Sequence, residues 1–434
     1  MPGSIGQSAQ VLRSREEAEA YVASVCFKHG PPRLIGVELE WLLEQKARPR
    51  DPLDPEVLRT ALGPYAPTSL APDSAALLLP AGSTVTVEPG GQVEIASAPH
   101  PDIASLVGAA LSDSAFLHAR LAQRDLFPQA SASDPVRSPR RLLSTPRYAA
   151  MEAAFDLLGQ EGRAMMCSTA AVQPSLDLGE RADLVARWSA LHLLGPVLVG
   201  AFANSPILHG RRTGWKSSRM AVWLALDPPR TAPPDLSSPD PAAAYAGRAM
   251  DANLICVRRS DSSWQAPRGV TFADWLDGAL PTPPTTGDLD LHLSTLFPPV
   301  RPHGHVEVRY IDAQRGDAWI VPVAVLAGLL ADPATTDAAM EACLPVGDRW
   351  VDAARTGLAD PAIARAATRV FGLAIAALRG LVGPGPILTL VENYAEGRVL
   401  RGLCPADVPG DSGDVGDTTF SGSRTSATSR GASS

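Results

Sequence analysis

The sequence predicts an α+β fold built on a largely antiparallel sheet. Three observations lead to it. The chain has 434 residues, of which 45% are hydrophobic and 19% charged, which is enough to bury a sizeable core. Period-two strand patterns are scattered among helical patterns without regular strand–helix alternation. The 36 glycines and 41 prolines follow no period, which favours loop-rich globular structure and excludes collagen.

In the first half of the chain, local signals place six elements. Ser14 and Glu17 form a capping-box pattern at a helix start, and Gly30 is placed to end that helix. Pro146 suits the first turn of another helix. The predicted elements are a helix over 14–29, strands over 33–43 and 84–97, a helix over 102–126, a helix from 146, and a strand and turn over 164–177.

In the second half, the pattern predicts a helix over 180–203, strands over 218–226 and 306–311, and mostly helix over 319–403. No internal boundary divides the chain, so we expect one domain over 1–409. Within it, three proline-rich segments read as loop insertions, namely 45–80, 227–241 and 281–288. Residues 410–434 hold almost no large apolar side chains and are expected to be a disordered tail.

Charge, cysteine content and apolar runs limit the function classes. The net charge of −8 disfavours nucleic-acid binding, which needs a basic surface. Five separated cysteines without a CxxC pair, behind an N-terminus without a signal-peptide pattern, predict reduced thiols in the cytoplasm. The apolar runs 191–203 and 319–331 are shorter than the roughly 20 residues that a bilayer requires, so we expect buried helices and no membrane contact. We expect a monomer, although no sequence feature decides the oligomeric state.

Glu38 and Glu40 mark the first acidic strand. Side chains alternate between the faces of a strand, so Val37 and Leu39 would point into the core while both glutamates share the other face. Two carboxylates on one face repel each other unless a cation lies between them. The alternative is a solvated polar face at the edge of the sheet.

Glu88 and Glu94 mark the second acidic segment. They are six residues apart, so a continuous strand would put them on one face. Pro89-Gly90-Gly91 between them indicates a bulge or a close approach of the backbone to a ligand. A hairpin turn at 89–91 with incidental acids is the alternative.

Glu307 and Arg309 share one face of a third strand, which begins at His303 and His305. Arg309 could hold a carboxylate or phosphate oxygen. A zinc site at the two histidines lacks a nearby cysteine or third histidine, so we favour exposed loop histidines.

Three acidic strands together predict a cation site. Magnesium prefers clustered carboxylate oxygens and usually bridges to substrate phosphates, so the acids and arginines suggest an ATP site. Three unrelated solvated faces remain the alternative. No P-loop, strand-linked GxGxxG, GxSxG or HExxH motif occurs in the sequence.

A family resemblance is carried by five segments in a fixed order. They are Gly36–Glu40, Glu88–Glu94, Cys167–Gln173, Ala203–Pro206 with Ser218-Arg219, and His305–Arg309. Together they resemble the glutamate–cysteine ligase family of the plant and actinobacterial type, and in particular its actinobacterial branch that supplies γ-glutamylcysteine to ergothioneine biosynthesis. The resemblance covers roughly residues 15–405, whereas the proline-rich insertions at 227–241 and 281–288 and the 410–434 tail have no counterpart in it.

The resemblance implies a glutamine-synthetase-like fold, in which a curved, mostly antiparallel sheet forms a funnel with helices outside. It implies ATP, Mg²⁺ or Mn²⁺, and the substrates L-glutamate and L-cysteine. By position, the implied metal ligands are Glu38, Glu40, Glu88, Glu94 and Glu307. Arg309 would contact the transferred phosphate, and Gln173, Asn204 and Arg219 would lie near substrate or nucleotide.

The implied reaction explains these residue types. Phosphorylation of the glutamate γ-carboxylate by ATP gives a γ-glutamyl phosphate, which the cysteine amine then attacks. Two other hypotheses stay open. One is a related carboxylate–amine ligase that uses another amine. The other is a catalytically inactive relative that binds nucleotide or glutamate.

Overall fold

A computed structural model of the chain describes residues 10–260 and 263–408. The expected tail at 410–434 lies outside the described residues. The described residues form sixteen helices: α1 Arg15–Cys26, α2 Pro55–Leu62, α3 Ile103–Ala122, α4 Pro146–Phe155, α5 Glu161–Ser168, α6 Leu184–Phe202, α7 Ser218–Leu226, α8 Pro228–Thr231, α9 Pro241–Asp251, α10 Phe272–Leu276, α11 Thr286–Leu293, α12 Ile320–Leu329, α13 Pro333–Cys343, α14 Trp350–Thr356, α15 Pro361–Leu381 and α16 Pro386–Gly397.

Eleven strands complete the described architecture: β1 Ile35–Trp41, β2 Leu43–Gln45, β3 Thr84–Val87, β4 Val93–Ala96, β5 Leu126–Pro128, β6 Ala171–Leu176, β7 Ile207–Leu208, β8 Arg211–Arg212, β9 Val300–Pro302, β10 Val306–Val308 and β11 Ile311–Asp312. Seven of them form one open sheet in the order β3-β4-β1-β6-β10-β9, with β11 also paired to β6. Every pairing in this sheet is antiparallel. The predicted α+β class with an antiparallel sheet is therefore confirmed.

One face of the sheet packs on helices and forms the core. Val37 and Leu39 of β1 are buried. Glu38 and Glu40, which alternate with them, are only half-buried, as the alternation predicts. Helices α6 and α12 lie behind this face, where the hydroxyl of Tyr310 donates to the carbonyl of Leu191 at 2.9 Å. Burying such apolar faces gives roughly 25 cal/mol per Å² and is the main stabilising contribution to the fold.

Residues 84–97 form a hairpin rather than one continuous strand. The turn closes where the Glu88 amide donates to the Gln92 carbonyl at 2.8 Å. Gly90 is required at this turn, because a Cβ there would lie 2.3 Å from the carbonyl oxygen of Cys167. Gly91 has φ +92°, a conformation that favours glycine. Of the two alternatives for this segment, the hairpin is the one observed.

The predicted strand over 218–226 is wrong, because these residues form helix α7. The Ser217 side chain caps the helix by accepting from the Met220 amide at 3.1 Å. The buried side chains of Met220, Trp223 and Leu226 recur every three residues, a helical spacing that the apolar composition concealed.

Four further segments contain helix that the sequence did not predict. Residues 164–177 divide into the end of α5 and strand β6. The proline-rich segments contain α2, α8 and the start of α11. In α2 and α8 a proline occupies the first turn, where its missing amide costs nothing.

Two described helices are long and apolar enough to cross a membrane by length and composition alone, namely α6 and α15. About 78% of the apolar window in α6 is buried inside the protein, against 39% in α15. The buried α6 agrees with the expected core helix. The absence of membrane contact stays a prediction, as do the cytoplasmic location and the monomer.

All five cysteines are reduced and buried. Burial raises the pKa of the Cys167 thiol to about 12 and that of Cys256 to about 11, so neither is a thiolate at neutral pH.

Candidate active site

The structure brings the five predicted glutamates together on one face of the sheet, opposite the helical core. They come from four strands: Glu38 and Glu40 on β1, Glu88 at the end of β3, Glu94 on β4 and Glu307 on β10. Glu40 lies directly opposite Glu94 across the β1–β4 pair. The hairpin preserves the shared face of Glu88 and Glu94, because Glu94 lies opposite Thr86, two residues before Glu88. We call this surface the carboxylate face.

Gln173 links two charged residues of the carboxylate face. It lies opposite Glu38 on the neighbouring strand. Its Nε2 donates to Oε1 of Glu40 at 2.7 Å, and its Oε1 accepts from Nε of Arg309 at 2.9 Å. The other carboxylate oxygen of Glu40 accepts from the backbone amide of Ala171 at 2.8 Å. An amide suits this position, because it donates to an acid and accepts from a base at once.

Two arginines hold Glu307. Nη2 of Arg301 lies 2.6 Å from Oε2 of Glu307, and Nε of Arg309 lies 2.9 Å from Oε1. The second contact is an ion pair without hydrogen-bond geometry, and Oε1 has no hydrogen-bond donor among the described residues. Arg309 also leaves its buried Nη1 without an acceptor. A buried donor without an acceptor is costly, so Nη1 of Arg309 is available to an oxygen atom of a ligand.

The carboxylates perturb one another. Burial, with a contribution from Glu307, raises the pKa of Glu38 to about 8. Burial and the charge of Glu88 raise the pKa of Glu40 to about 7. Glu94 is raised well above its ordinary pKa by burial and by Glu38. Strongly perturbed acids that share one surface are typical of a functional site.

Glu88 and Glu307 sit closer to positive charge. Burial raises the pKa of Glu88, and the positive charge of Arg147 opposes this rise most strongly. For Glu307, burial acts upward, but Arg301 and Arg309 outweigh it and lower the pKa. Glu307 is therefore the member of the set that is fully ionised without any further cation.

Arg219 and Arg309 lie side by side over one aromatic ring. The guanidinium carbons of Arg219 and Arg309 are 5.1 and 5.2 Å from the ring centre of Trp223. Nη2 of Arg219 donates to the backbone carbonyl of Arg309 at 2.6 Å. Arg219 occupies the first turn of α7 instead of the expected strand, yet its charge still acts on Glu40.

Asn204 supports the backbone beneath these arginines. Its Nδ2 donates to the carbonyls of Ala130 and Ala313 at 2.8 and 2.7 Å. Its Oδ1 is buried without a described donor. Both hydrogens of the Asn204 side-chain amide are thus donated to backbone carbonyls. Only Oδ1 is available for a substrate or nucleotide.

Sequence analysis missed four residues at this site. Arg301 faces Glu307 across the β9–β10 hairpin, and Trp223 underlies the arginine pair. Arg147 and Tyr148 at the start of α4 act electrostatically on Glu88. Arg301 had a sequence signal, because His303-Gly304 could form a tight turn that pairs it with Glu307. The others come from helices, for which no strand pairing could indicate a partner.

The residues of the carboxylate face suit a divalent cation by chemistry, although the described residues contain no group of three His, Cys, Asp or Glu side chains placed to hold one. Five carboxylates with mutually raised pKa values are the oxygen ligands that Mg²⁺ or Mn²⁺ takes. A cation would also relieve the repulsion between them. The His303 and His305 rings are 6.2 Å apart and belong to no such group either.

A small pocket lies elsewhere, between α6, α9 and the loop over 234–238. Trp188, His192 and Tyr245 line it, and none of the predicted site residues does. Its walls are mainly apolar, so we assign the chemistry to the carboxylate face.

An open antiparallel sheet that presents clustered carboxylates beside paired arginines is chemically suited to an enzyme that handles phosphate groups. The chain belongs to the glutamate–cysteine ligase family 2, whose family model matches residues 34–381. This membership confirms the resemblance inferred from the five ordered segments.

Individual relatives agree with this assignment. The chain is 38% identical to the glutamate–cysteine ligase EgtA of Mycobacterium tuberculosis over 426 residues, which cover 94% of this chain and 91% of that protein. It is 28% identical to the chloroplastic glutamate–cysteine ligase of Arabidopsis thaliana, with 63% and 53% covered. A solved glutamate–cysteine ligase from Francisella tularensis, in complex with AMP, shares 14% identity at a TM-score of 0.49, with 88% and 84% covered. The family assignment rests on the sequence matches.

Proposed function

We propose that this chain is an ATP-dependent glutamate–cysteine ligase. It joins the γ-carboxylate of L-glutamate to the amine of L-cysteine and releases ADP and phosphate. The observation that carries the proposal is the carboxylate face, where five glutamates from four strands meet Arg309 and Arg219. Its product is γ-glutamylcysteine, and we propose that this product supplies ergothioneine biosynthesis.

The chemistry requires activation of a poor acyl donor. A carboxylate cannot expel oxide, so the γ-phosphoryl group of ATP is first transferred to the γ-carboxylate of glutamate. The cysteine amine then attacks the acyl carbon, the C–O bond to phosphate breaks, and the amine loses its proton. Phosphoryl transfer depends mainly on positioning and on neutralising charge. The substrate brings its own thiol, which agrees with the absence of an exposed cysteine among the described residues.

Glu38, Glu40, Glu88, Glu94 and Glu307 would hold Mg²⁺ or Mn²⁺. When bound, these ions neutralise the phosphates of ATP and the charge that develops on the transferred group. Arg309 offers the free Nη1 donor to a phosphoryl oxygen. Gln173 fixes the direction of that guanidinium through its bond to Nε. Arg219 contributes a second positive charge beside it.

The test is ADP release by the purified protein with ATP, Mg²⁺ and L-glutamate, with and without L-cysteine, with the product identified by mass. Cysteine-dependent ADP release with γ-glutamylcysteine as product supports the proposal. Turnover that requires another amine would move the function to the related carboxylate–amine ligase. Metal-dependent ATP binding without turnover on any amine would indicate a non-catalytic relative.

A further inference from the structure

The strand that carries Arg309 contains an extra residue. Glu307 lies opposite Ser175, and Ile311 lies opposite Val172. Four steps along this strand therefore match only three steps along β6, which is the definition of a β-bulge. Bulges occur near active sites because they change the direction of the side chains that follow.

The bulge turns Asp312 towards the carboxylate face. In a regular strand Asp312 would share the apolar side with Tyr310. Instead, both Tyr310 and Ile311 are buried in the core, and Asp312 pairs with Ala171. The amide of Ala171 is also the one that donates to Glu40.

Four groups from two other segments converge on the buried Asp312 carboxylate. Oδ2 accepts from the amide of Asn204 at 2.8 Å and from Oγ of Ser205 at 2.7 Å. Oδ1 accepts from Oγ of Ser217 at 2.9 Å and lies 3.8 Å from Nη1 of Arg219. The Arg219 side chain is 2% exposed and that of Asp312 is fully buried.

These contacts fix Arg219 in two ways. Oγ of Ser205, held by Asp312, accepts from the Arg219 amide at 3.1 Å. Ser217, also held by Asp312, caps the helix on which Arg219 stands. Asp312 is moreover the one carboxylate within ion-pair distance of Arg219 among the described residues.

We infer that Asp312 is the positioning residue for Arg219 and Arg309. Through the bulge, Asp312 joins these two arginines to the carboxylate face. This inference rests on the proposed function. Asp312 does not contact the reacting atoms; it acts through Arg219 and, by way of the Arg219–Arg309 bond, through Arg309. Misplacing a charged group in an active site by about 1 Å can cost about 100-fold in rate.

Asp312→Asn tests the inference, with Asp113→Asn as the matched control. Asp113 is equally buried, but its carboxylate accepts from the amides of Ala81 and Ser83 before β3. Both variants lose hydrogen bonds to a buried carboxylate and should melt at lower temperature. Below their melting temperatures, Asp312→Asn should lower kcat by about 10- to 100-fold, and Asp113→Asn by less than about twofold. Equal kcat values in the two variants would overturn the inference.

A double-mutant cycle with Arg219→Lys provides a readout that a purely structural role would not move. If Asp312 acts through Arg219, adding Asp312→Asn to the Arg219→Lys protein should reduce kcat by much less than it does in the wild type. Additive losses would overturn the inference. Should the Asp312→Asn protein fail to fold, Ser205→Ala is tested instead. This smaller change removes the hydroxyl that links Asp312 to the Arg219 amide.

These outcomes separate the inference from the proposed function. A wild-type protein that makes no γ-glutamylcysteine refutes the proposed function. A productive wild type whose Asp312→Asn variant is equally productive refutes only the role of Asp312.

Discussion

Arg301 and Glu307 face each other across the β9–β10 hairpin, with Nη2 of the arginine 2.6 Å from Oε2 of the glutamate. The pair distinguishes Glu307 from the other acids of the carboxylate face. Its charge is balanced by protein, whereas Glu38 and Glu94 have their pKa values raised by burial and by neighbouring acids. Two glutamates with one proposed function should therefore respond differently to the same substitution.

Glu38→Gln and Glu307→Gln should each lower kcat by at least about 100-fold if both bind the metal. Glu38→Gln should keep or raise the melting temperature, because a neutral amide requires neither an unfavourable charge nor the uptake of a proton at this position. Glu307→Gln should lower it, because Arg301 and Arg309 lose their counter-charge, and breaking a buried pair costs about 3–5 kcal/mol. Steady-state kinetics and calorimetry measure both effects. Wild-type rates in both variants would exclude the metal-site assignment.

The metal-free protein should lose stability as pH rises from about 6.5 to about 8. Below this window the buried His118, His192 and His292 act in the opposite direction, because burial lowers their pKa values to about 4, about 4 and about 3. The folded-state pKa values of Glu38 and Glu40 are raised to about 8 and about 7, so the unfolded chain ionises these groups at lower pH than the folded chain. Stability present below their ordinary pKa is thus lost as pH climbs towards the raised values. The pKa of Glu307 moves the other way and has its effect below this window.

Mg²⁺ should restore the melting temperature at pH 8 and have little effect at pH 5. NaCl at matched ionic strength is the control for general screening. The Glu38→Gln protein should show a shallower pH dependence than the wild type. A melting temperature that rises between pH 7 and pH 8 in the absence of metal would contradict the raised pKa values.

Gln173→Glu should lower kcat by about tenfold or more. The substitution replaces the donor to Glu40 with a second negative charge 2.7 Å away, and it ties Arg309 to a new carboxylate. Gln45→Glu is the control, since Gln45 is about as buried but lies on β2, outside the main sheet. If Gln173→Glu keeps the wild-type kcat, Gln173 does not orient Arg309 for catalysis.

Arg147→Ala should raise the KM for L-glutamate by about tenfold with a smaller change in kcat. Arg147 lowers the pKa of Glu88 more than any other charge and takes part in none of the ion pairs among the described residues. Its Nη2 donates to the carbonyl and Oγ of Ser294 at 2.9 and 3.3 Å, which leaves its other guanidinium nitrogens to donate to a substrate carboxylate. A lost charged hydrogen bond of about 1.5–3 kcal/mol corresponds to tenfold or more in affinity. Arg141→Ala is the control, because Arg141 is already bound to Glu152. Equal KM changes in the two variants would contradict a substrate role for Arg147.

Deleting residues 410–434 should leave activity and stability intact, as the composition of that segment predicts. Deleting 404–434 should lower the melting temperature, because Asp407 pairs with Lys216 and the Ala406 amide donates to the carbonyl of Ala203. Those contacts hold the chain on both sides of the Asn204 loop. Lost activity in the shorter deletion would mean that the tail contributes to the site.

The acidic strands were predictable because a strand has a simple two-residue period. Glu38, Glu40 and Glu307 lie on the face that this period assigns to them. Glu88 and Glu94 were predicted to share a face on the assumption of a continuous strand. They form a hairpin instead, and its register also puts both glutamates on one face.

The rest depends on contacts between distant segments. The sequence of 218–226 favours a strand because other apolar side chains conceal the helical spacing of Met220, Trp223 and Leu226, and the deciding cap at Ser217 is local but weak. Asp312 faces the site only because of a one-residue bulge, which no period reveals. Arg147 is about 60 residues from Glu88 in sequence, so its approach is set by the packing of α4.

The buried thiols have a consequence for an enzyme that handles cysteine. A protein sulfur must be exposed and ionised to exchange with a disulfide or to be oxidised, and every cysteine here is buried with a raised pKa. Free cysteine and cystine at high concentration therefore do not form mixed disulfides with the folded chain. We therefore expect oxidants that attack exposed thiols to leave the proposed ligase activity intact, whereas a catalyst with an accessible thiol would lose it.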